Sequence, residues 1–332
     1  MRRLLVLVLT AAALWASWWL VASRSLEGAL AGWFEARRAE GWQADYSALT
    51  VRGFPNRLDT TIDDLALADP DTGLGWHAPF FQILSLSYKP NHVIAVWPDE
   101  QLLFTPEEKI TVTADKMQAS VVFKPDTALE LDRTSFELEG FRLASDRGWW
   151  AELPTARLAS RAVPARTGVQ EIAFSATEMR PSADLIALLG DTGLPEVFEA
   201  LRMDAEFGFD APWDRRAIEE RRPQITSVKL RMFEAHWGEL ELQAAGDLTV
   251  DEKGIPEGEI GLRATNWREM LEIGVNTGVL PEGLADTLES AFELLAGLKG
   301  NRNTLDVGLS FHDGRVSLGP VPLGPAPRLV IR

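Results

Sequence analysis

The side chains best suited to acid–base or metal chemistry are four histidines, His77, His92, His236 and His312. A helical zinc motif needs two ligands at i and i+4 on one face, and none of the four has a second ligand at that spacing. The acid pairs Asp63-Asp64 and Glu107-Glu108 have the residue types of a general acid and base. Neighbouring strand residues face opposite sides, however, so each pair points apart. Gly73-Leu74-Gly75-Trp76-His77-Ala78 satisfies a G-x-G-x-x-A pattern, but Pro79 follows at once and no helix can start there to face a pyrophosphate. That segment reads as a turn. There is no G-x-S-x-G elbow and no G-x-x-x-x-G-K phosphate loop. No catalytic residue, cofactor or metal is expected.

The charge pattern narrows the partners further. The chain has 33 basic and 49 acidic residues; setting aside Arg2 and Arg3 leaves 31 against 49, a net charge of −18 after Ser23. Such a surface repels phosphate backbones, so nucleic acid is excluded as a partner. Arg215-Arg216 and Arg221-Arg222 have the type to hold an anionic headgroup, but Asp214, Glu219 and Glu220 neutralise them into a local ion-pair network. The pair Trp149-Trp150 opens a strand, which directs one ring to the core and one outside. With no cysteine, disulfide and thiolate chemistry are excluded.

These side chains must be held by elements that begin with a membrane segment. Met1-Arg2-Arg3 precedes Leu4 to Ala22, nineteen uncharged positions interrupted only by Thr10 and Ser17. As a helix this run is roughly 28 Å long, close to the ~30 Å apolar core of a bilayer. It is longer than a signal-peptide apolar region and ends in Trp18, Trp19 and Leu20, which favours a retained anchor; Ala22 and Ser23 leave cleavage as the alternative. Arg2 and Arg3 place the N-terminus in the cytoplasm, so the remaining chain is expected to be exported. Trp15, Trp18, Trp19 and Trp33 suit the outer membrane–water boundary.

Beyond the span, Leu26, Leu30, Trp33 and Phe34 keep helical spacing up to a stop at Gly41. The period then changes to two. Met117 to Phe123, Met203 to Phe209, Val228 to Met232, Leu240 to Ala244 and Leu305 to Phe311 all alternate, which predicts strands with one dry face. Two runs slip phase, at Leu58/Ile62 against Leu65/Leu67 and at Phe136/Leu138 against Phe141/Leu143, and each requires a bulge or bend. Turns at Asp69 to Gly73, Lys124 to Asp126, Asp251 to Gly254 and Asp313-Gly314 favour antiparallel meanders over βαβ units. Helical interruptions are expected at Ser182 to Leu189, as a short turn near Pro195 to Leu201, and from Asn266, a side-chain cap with Glu269 three residues on. Helix resumes after Pro281 with Leu284, Leu288, Ala291, Phe292 and Leu295 on one stripe. The fold class is mainly β with accessory helices (α+β), an N-terminal transmembrane helix followed by curved antiparallel sheet. The layout reads as an anchor over 1–23, a helical extension over 24–41, a β-rich region over 42–209, a charged connection over 210–223, and a β-rich region over 224–332 with helices near 266–298.

Two segments resemble a known family. Arg52-Gly53-Phe54-Pro55-Asn56-Arg57-Leu58 and the closing run from Phe311 through Asp313, Gly314, Gly319 and Pro320 to Gly324 are similar to an uncharacterised Gram-negative envelope family, domain of unknown function 2125. More distantly, the architecture resembles AsmA-like envelope proteins, and that resemblance implies a curved sheet with an apolar trough associated with lipid movement. The family implies no catalytic residues. Read physically, Gly53 permits a special backbone geometry, Pro55 fixes φ, and Arg57 can staple a carboxylate or carbonyl at a corner. Pro320, Pro322, Pro325 and Pro327 keep the last strand from being central, so an edge or protected exit is expected.

Three functions follow as expectations. The first is lipid binding or envelope maintenance through an open apolar trough lined by residues such as Phe136, Phe174, Phe207 and Phe209. The second is a tethered scaffold for another envelope protein, its sheet face packed shut by helices around Leu185 and Leu288. The third, an exported hydrolase, lacks any local catalytic signature.

Overall fold

The structure is a computed structural model that describes residues 1–190, 193–299 and 302–331. It is mainly β with accessory helices, and its strands pair antiparallel. Two compact units divide the chain: Met1–Val122 with Phe136–Gly148, and Phe123–Ser135 with Trp149–Arg332.

The first unit opens with one unbroken helix, α1 (Arg2–Ala39), after which Gly41 at φ +92° takes the chain off the helix axis. Strands β1 (Gln43–Asp45), β2 (Ala48–Arg52), β3 (Asp59–Ala68), β4 (Gly75–Leu86), β5 (Lys89–Val96), β6 (Glu100–Phe104), β7 (Lys109–Thr113) and β8 (Lys116–Phe123) follow. The next strand, β9 (Leu131–Ser145), begins in the second unit and ends in the first. Strand β3 pairs with β1, β2 and β4, and β7 pairs with β6 and β9. The core forms where α1 meets this sheet: Phe34, 2% exposed, packs with Ala44, Ile62 and Leu65, and Tyr46, Leu49, Leu67, Trp76 and Phe81 surround them. Both phase slips are bends. Asp64 at φ +52° brings Ile62 and Leu65 to the same core, and Gly140 at φ +59° separates Leu138 from Phe141. At Gly140 the positive φ favours glycine, and a Cβ there would displace the Asp115 carboxylate, 2.2 Å away.

In the second unit β10 (Trp150–Ala162), β11 (Val169–Pro181), β12 (Phe198–Phe209), β13 (Ile225–Trp237), β14 (Leu240–Val250), β15 (Pro256–Thr265), β16 (Thr304–His312), β17 (Arg315–Leu318) and β18 (Val321–Pro325) form a meander, each paired with the next. Short helices α2 (Ala183–Ala187) and α3 (Arg216–Glu219) interrupt it, and α4 (Trp267–Asn276) and α5 (Glu282–Lys299) lie between β15 and β16. The apolar stripe of α5 packs onto the dry sheet face. Leu288 and Phe292 join Trp267, Ala264, Leu305 and Val321 in a buried cluster, with Leu284, Ala291 and Leu295 against it. Burying a side chain such as Leu288 or Phe292 stabilises by about 1.5–3 kcal/mol.

Several local readings are corrected. Pro195 to Leu201 is not a helical turn, because β12 begins at Phe198. Its ring meets Trp237 at 5.3 Å and the Glu199 carboxylate accepts the Gly238 N–H, so cross-strand partners override local propensity. Asn266 stands at the start of α4, but at φ +55° its amide does not cap the helix and donates instead to the Glu239 carbonyl. Helix α2 is capped by Ser182 and contributes no fully buried residue; Leu185 is half-buried. Trp149 and Trp150 are both half-buried rather than one in and one out. The 210–223 segment lies inside the second unit, between the paired strands β12 and β13. There Arg216 pairs with buried Asp214 at 2.7 Å and Arg221 with Asp210 at 2.8 Å, the expected ion-pair network. The Glu219 side chain lies outside the described residues.

Candidate functional site

The Gly53–Arg57 segment turns the chain from β2 into β3. Gly53 sits at φ +107°, where a Cβ would come within 2.6 Å of the Arg57 Cβ, and the Arg57 N–H donates to the Gly53 carbonyl at 2.8 Å. The Phe54–Pro55 peptide bond is cis. Arg57 staples its own strand through Asp59 at 2.6 Å. What the corner grips is α1. The Trp15 indole N–H donates to the Pro55 carbonyl at 3.0 Å, the Trp19 indole N–H donates to the Arg57 carbonyl at 2.7 Å, and Phe54 meets Trp19 edge-on at 5.5 Å. The β4–β5 turn completes the collar. The Ser87 hydroxyl donates to the Pro55 carbonyl and the Ser87 N–H to the Asn56 carbonyl.

From the core beside α1, a row of aromatic rings runs across the sheet. Trp76 meets Phe81 at 5.5 Å, Phe81 meets Trp97 at 5.2 Å, and Trp97 meets Phe136 at 5.8 Å, all edge-to-face. All four rings are half-buried. The amide of Gln101, 4% exposed, lies beside the row with both ends used: its Oε1 accepts from the Trp76 indole at 2.7 Å and its Nε2 donates to the Met117 sulfur at 3.2 Å. This surface is dry, and its neighbouring polar group is satisfied. Such a face suits apolar contact and offers no group for bond-making chemistry.

Of the four expected trough residues, Phe136 alone belongs to this row. Phe174, Phe207 and Phe209 lie in the second unit, on β11 and β12. Phe174 stands opposite Met203, Phe207 opposite Val228, and Phe209 meets Trp213 edge-on at 5.5 Å. All three are half-buried. No sequence pattern marks Trp76, Phe81 and Trp97 as a group; only their apolar type points to them.

The opposite face of the second-unit sheet is charged. One cleft of about 690 Å³ is lined by residues including Arg231, Glu234, Arg263 and Asp306 together with the apolar Met232 and Leu262, and another of about 740 Å³ by residues including Arg166, Glu206, Lys229 and His312. Their charges cancel internally. Arg231 reaches Glu171 at 2.7 Å and both Asp204 and Glu206 at 3.1 Å, Arg166 reaches Glu206 at 2.6 Å, and Arg263 reaches Asp306 at 2.8 Å. Hydrogen bonds from Arg231, then from Arg161, hold the Glu171 carboxyl below its usual range. At the β16–β17 turn, His312 pairs with Glu257, which raises the imidazole pKa with help from Asp313. Among the described residues, no group of three or more His, Asp or Glu side chains is arranged to hold a metal ion.

The closing motif is a structural corner. Asp313 and Gly314, at φ +50° and +69°, form the tight turn between β16 and β17. Phe311 stands opposite Val316, and Gly319 at φ +56° turns the chain before Pro320 where a Cβ would lie 2.8 Å from Val307. After β18 the tail is held. Leu329 N–H donates to the Gly254 carbonyl, and the Gln224 amide makes two bonds to the Ile331 backbone, at 2.9 and 3.0 Å.

Helix α1 is the one helix among the described residues long and apolar enough to cross a membrane. No curated protein and no solved structure matches the chain. A family model does match, over residues 19–327, which include both corners and every strand, and by that match the chain belongs to the bacterial family described as "Uncharacterized protein conserved in bacteria" (DUF2125).

Proposed function

We propose that this is an exported envelope protein, held in the inner membrane by Leu4–Ala22 with its N-terminus cytoplasmic and its bulk periplasmic. It binds lipid through the dry sheet face of the first unit and catalyses no reaction. The observation that carries this reading is the half-buried row Trp76–Phe81–Trp97–Phe136, which continues from the core packed on α1. A ring face of this kind binds an acyl chain by area alone, with no polar machinery. The likeness to AsmA-like proteins supports it as an analogy of architecture.

The test is native mass spectrometry of the full chain extracted in mild detergent. Copurified phospholipid in the parent, reduced in a Trp97→Gln variant, supports the reading. A lipid-free parent accompanied by a stable protein partner supports the alternative, a tethered scaffold. That alternative draws on α4 and α5, which cover the dry face of the second unit around Trp267, Leu288 and Phe292.

A further inference from the structure

The collar around α1 fixes a depth. Taking Leu4–Ala22 as the membrane-spanning run, which is the reading proposed above, Trp15 lies seven residues and about 10 Å before its outer end, and Trp19 about 5 Å before it. Both indoles are bonded to the Gly53–Arg57 corner, so the corner shares their depth. We infer that this end of the first unit, Phe54 to Asn56 with Tyr88 on the adjoining turn, is sunk into the outer leaflet of the bilayer that α1 crosses, its partner being phospholipid.

Three features agree with that depth. First, the surface is apolar and uncovered: Phe54 is 56% exposed and Tyr88 61%, and Trp15, Trp18, Leu20 and Val21 are exposed on the same stretch of helix. Second, most carbonyls of the corner are bonded within the protein. The carbonyls of Gly53, Pro55, Asn56 and Arg57 each accept a hydrogen bond within the protein. In water an exposed turn needs no such partners, whereas in hydrocarbon each unsatisfied group costs several kcal/mol. Third, Arg52 and Lys89 flank the corner and both are exposed, in a chain whose net charge is −16. Their long stems can reach back to lipid phosphates while the aromatic rings stay below.

The far end of the same sheet provides the comparison. Strand β3 leaves the corner at Asp59 and ends at Ala68, and the following loop carries Asp71. Ten residues of extended chain put that loop about 30 Å from the corner, in water.

Because the chain has no cysteine, single-site labelling is direct. Phe54→Cys, Tyr88→Cys, Asp71→Cys and Leu9→Cys variants of the full chain are labelled with an environment-sensitive fluorophore. They are reconstituted in vesicles of mixed phosphatidylethanolamine and phosphatidylglycerol, with and without nitroxide-bearing lipid. The inference expects nitroxide lipid to quench the labels at positions 9, 54 and 88 and to leave the label at 71 unaffected. The pair 54 and 88 guards against a local effect of removing Phe54, since Tyr88 lies on a separate turn. Quenching at 9 with none at 54 or 88 overturns the inference and leaves the anchor standing. An unquenched label at 9 removes the anchor and the inference with it. Labels at 54 and 88 shielded from water but untouched by nitroxide lipid show protein on that surface and also overturn it.

Discussion

Replacing Gly53 with alanine tests the collar directly. At φ +107° a residue with a Cβ is strained, which costs about 1–2 kcal/mol. The new Cβ would also stand 2.6 Å from the Arg57 Cβ and 3.1 Å from the Arg57 carbonyl oxygen, an overpacking term of about 1–3 kcal/mol. The strain falls on the corner alone, so it should favour local opening over global unfolding. Even about 2 kcal/mol shifts an opening equilibrium roughly thirty-fold, at about 1.4 kcal/mol per tenfold. Hydrogen exchange measures that equilibrium at three amides: Arg57, Leu58 and Ser87, which donate to the Gly53, Ser85 and Asn56 carbonyls. All three should exchange roughly thirty-fold faster in the full chain in detergent micelles, while Gly254 and Ile255 in the second unit keep their rates. Gly28→Ala, with open space around the new Cβ in mid-helix, should leave the corner unchanged. Rates at Arg57 and Ser87 within two-fold of the parent would refute both the strain and the collar as a unit.

Other consequences are more local. Phe292→Ala should lower the unfolding free energy of the second unit by about 3–5 kcal/mol, read from the urea midpoint, because its ring is 2% exposed and meets Trp267 at 5.5 Å. Gln224→Ala removes the bonds to Ile331 and should accelerate exchange of that amide by about ten-fold while Leu329, bonded to Gly254, stays protected. The His312 imidazole should titrate above its ordinary 6.5 in an NMR titration and fall back in Glu257→Gln. Since the folded pKa is the higher one, the stability His312 contributes is complete below about 6.5 and is lost as pH rises through the folded value.

The strands were legible because each run named from sequence by period-two alternation lies in a strand, and Leu240 to Ala244 keeps the alternation cleanly; at Met232 it fails, because a bulge between Leu230 and Phe233 leaves that side chain exposed. The two phase slips correctly announced bends, although only coordinates identify Asp64 and Gly140 as the residues that make them. The stripe Leu284, Leu288, Ala291, Phe292 and Leu295 was readable for the same reason, since a helix face leaves a spacing in the sequence. The collar was not readable. Trp15 and Trp19 suit a membrane boundary and Gly53-Phe54-Pro55 suits a turn, so each segment is explained without the other. Their hydrogen bonds join positions 40 and 38 residues apart and leave no local pattern. The aromatic row is hidden likewise: Trp76 and Phe81 lie at odd spacing on β4, and Trp97 and Phe136 join them only through strand pairing. At Phe198 a propensity argument failed because strand pairing with β11 and β13 outweighs it.

Helix α1 has no break between the apolar run and Phe34 in the first-unit core. The unit therefore rides on a stiff stalk rather than swinging from a flexible leash. From Ser23 to Phe34 the stalk is about 17 Å long, so leaning it by the ~20° common for single spans would carry Phe34 sideways by only about 6 Å. Its compass heading is equally constrained: the unit grips α1 at Trp15 and Trp19 and again at Phe34, so one residue inserted between the two grips would put them about 100° out of phase.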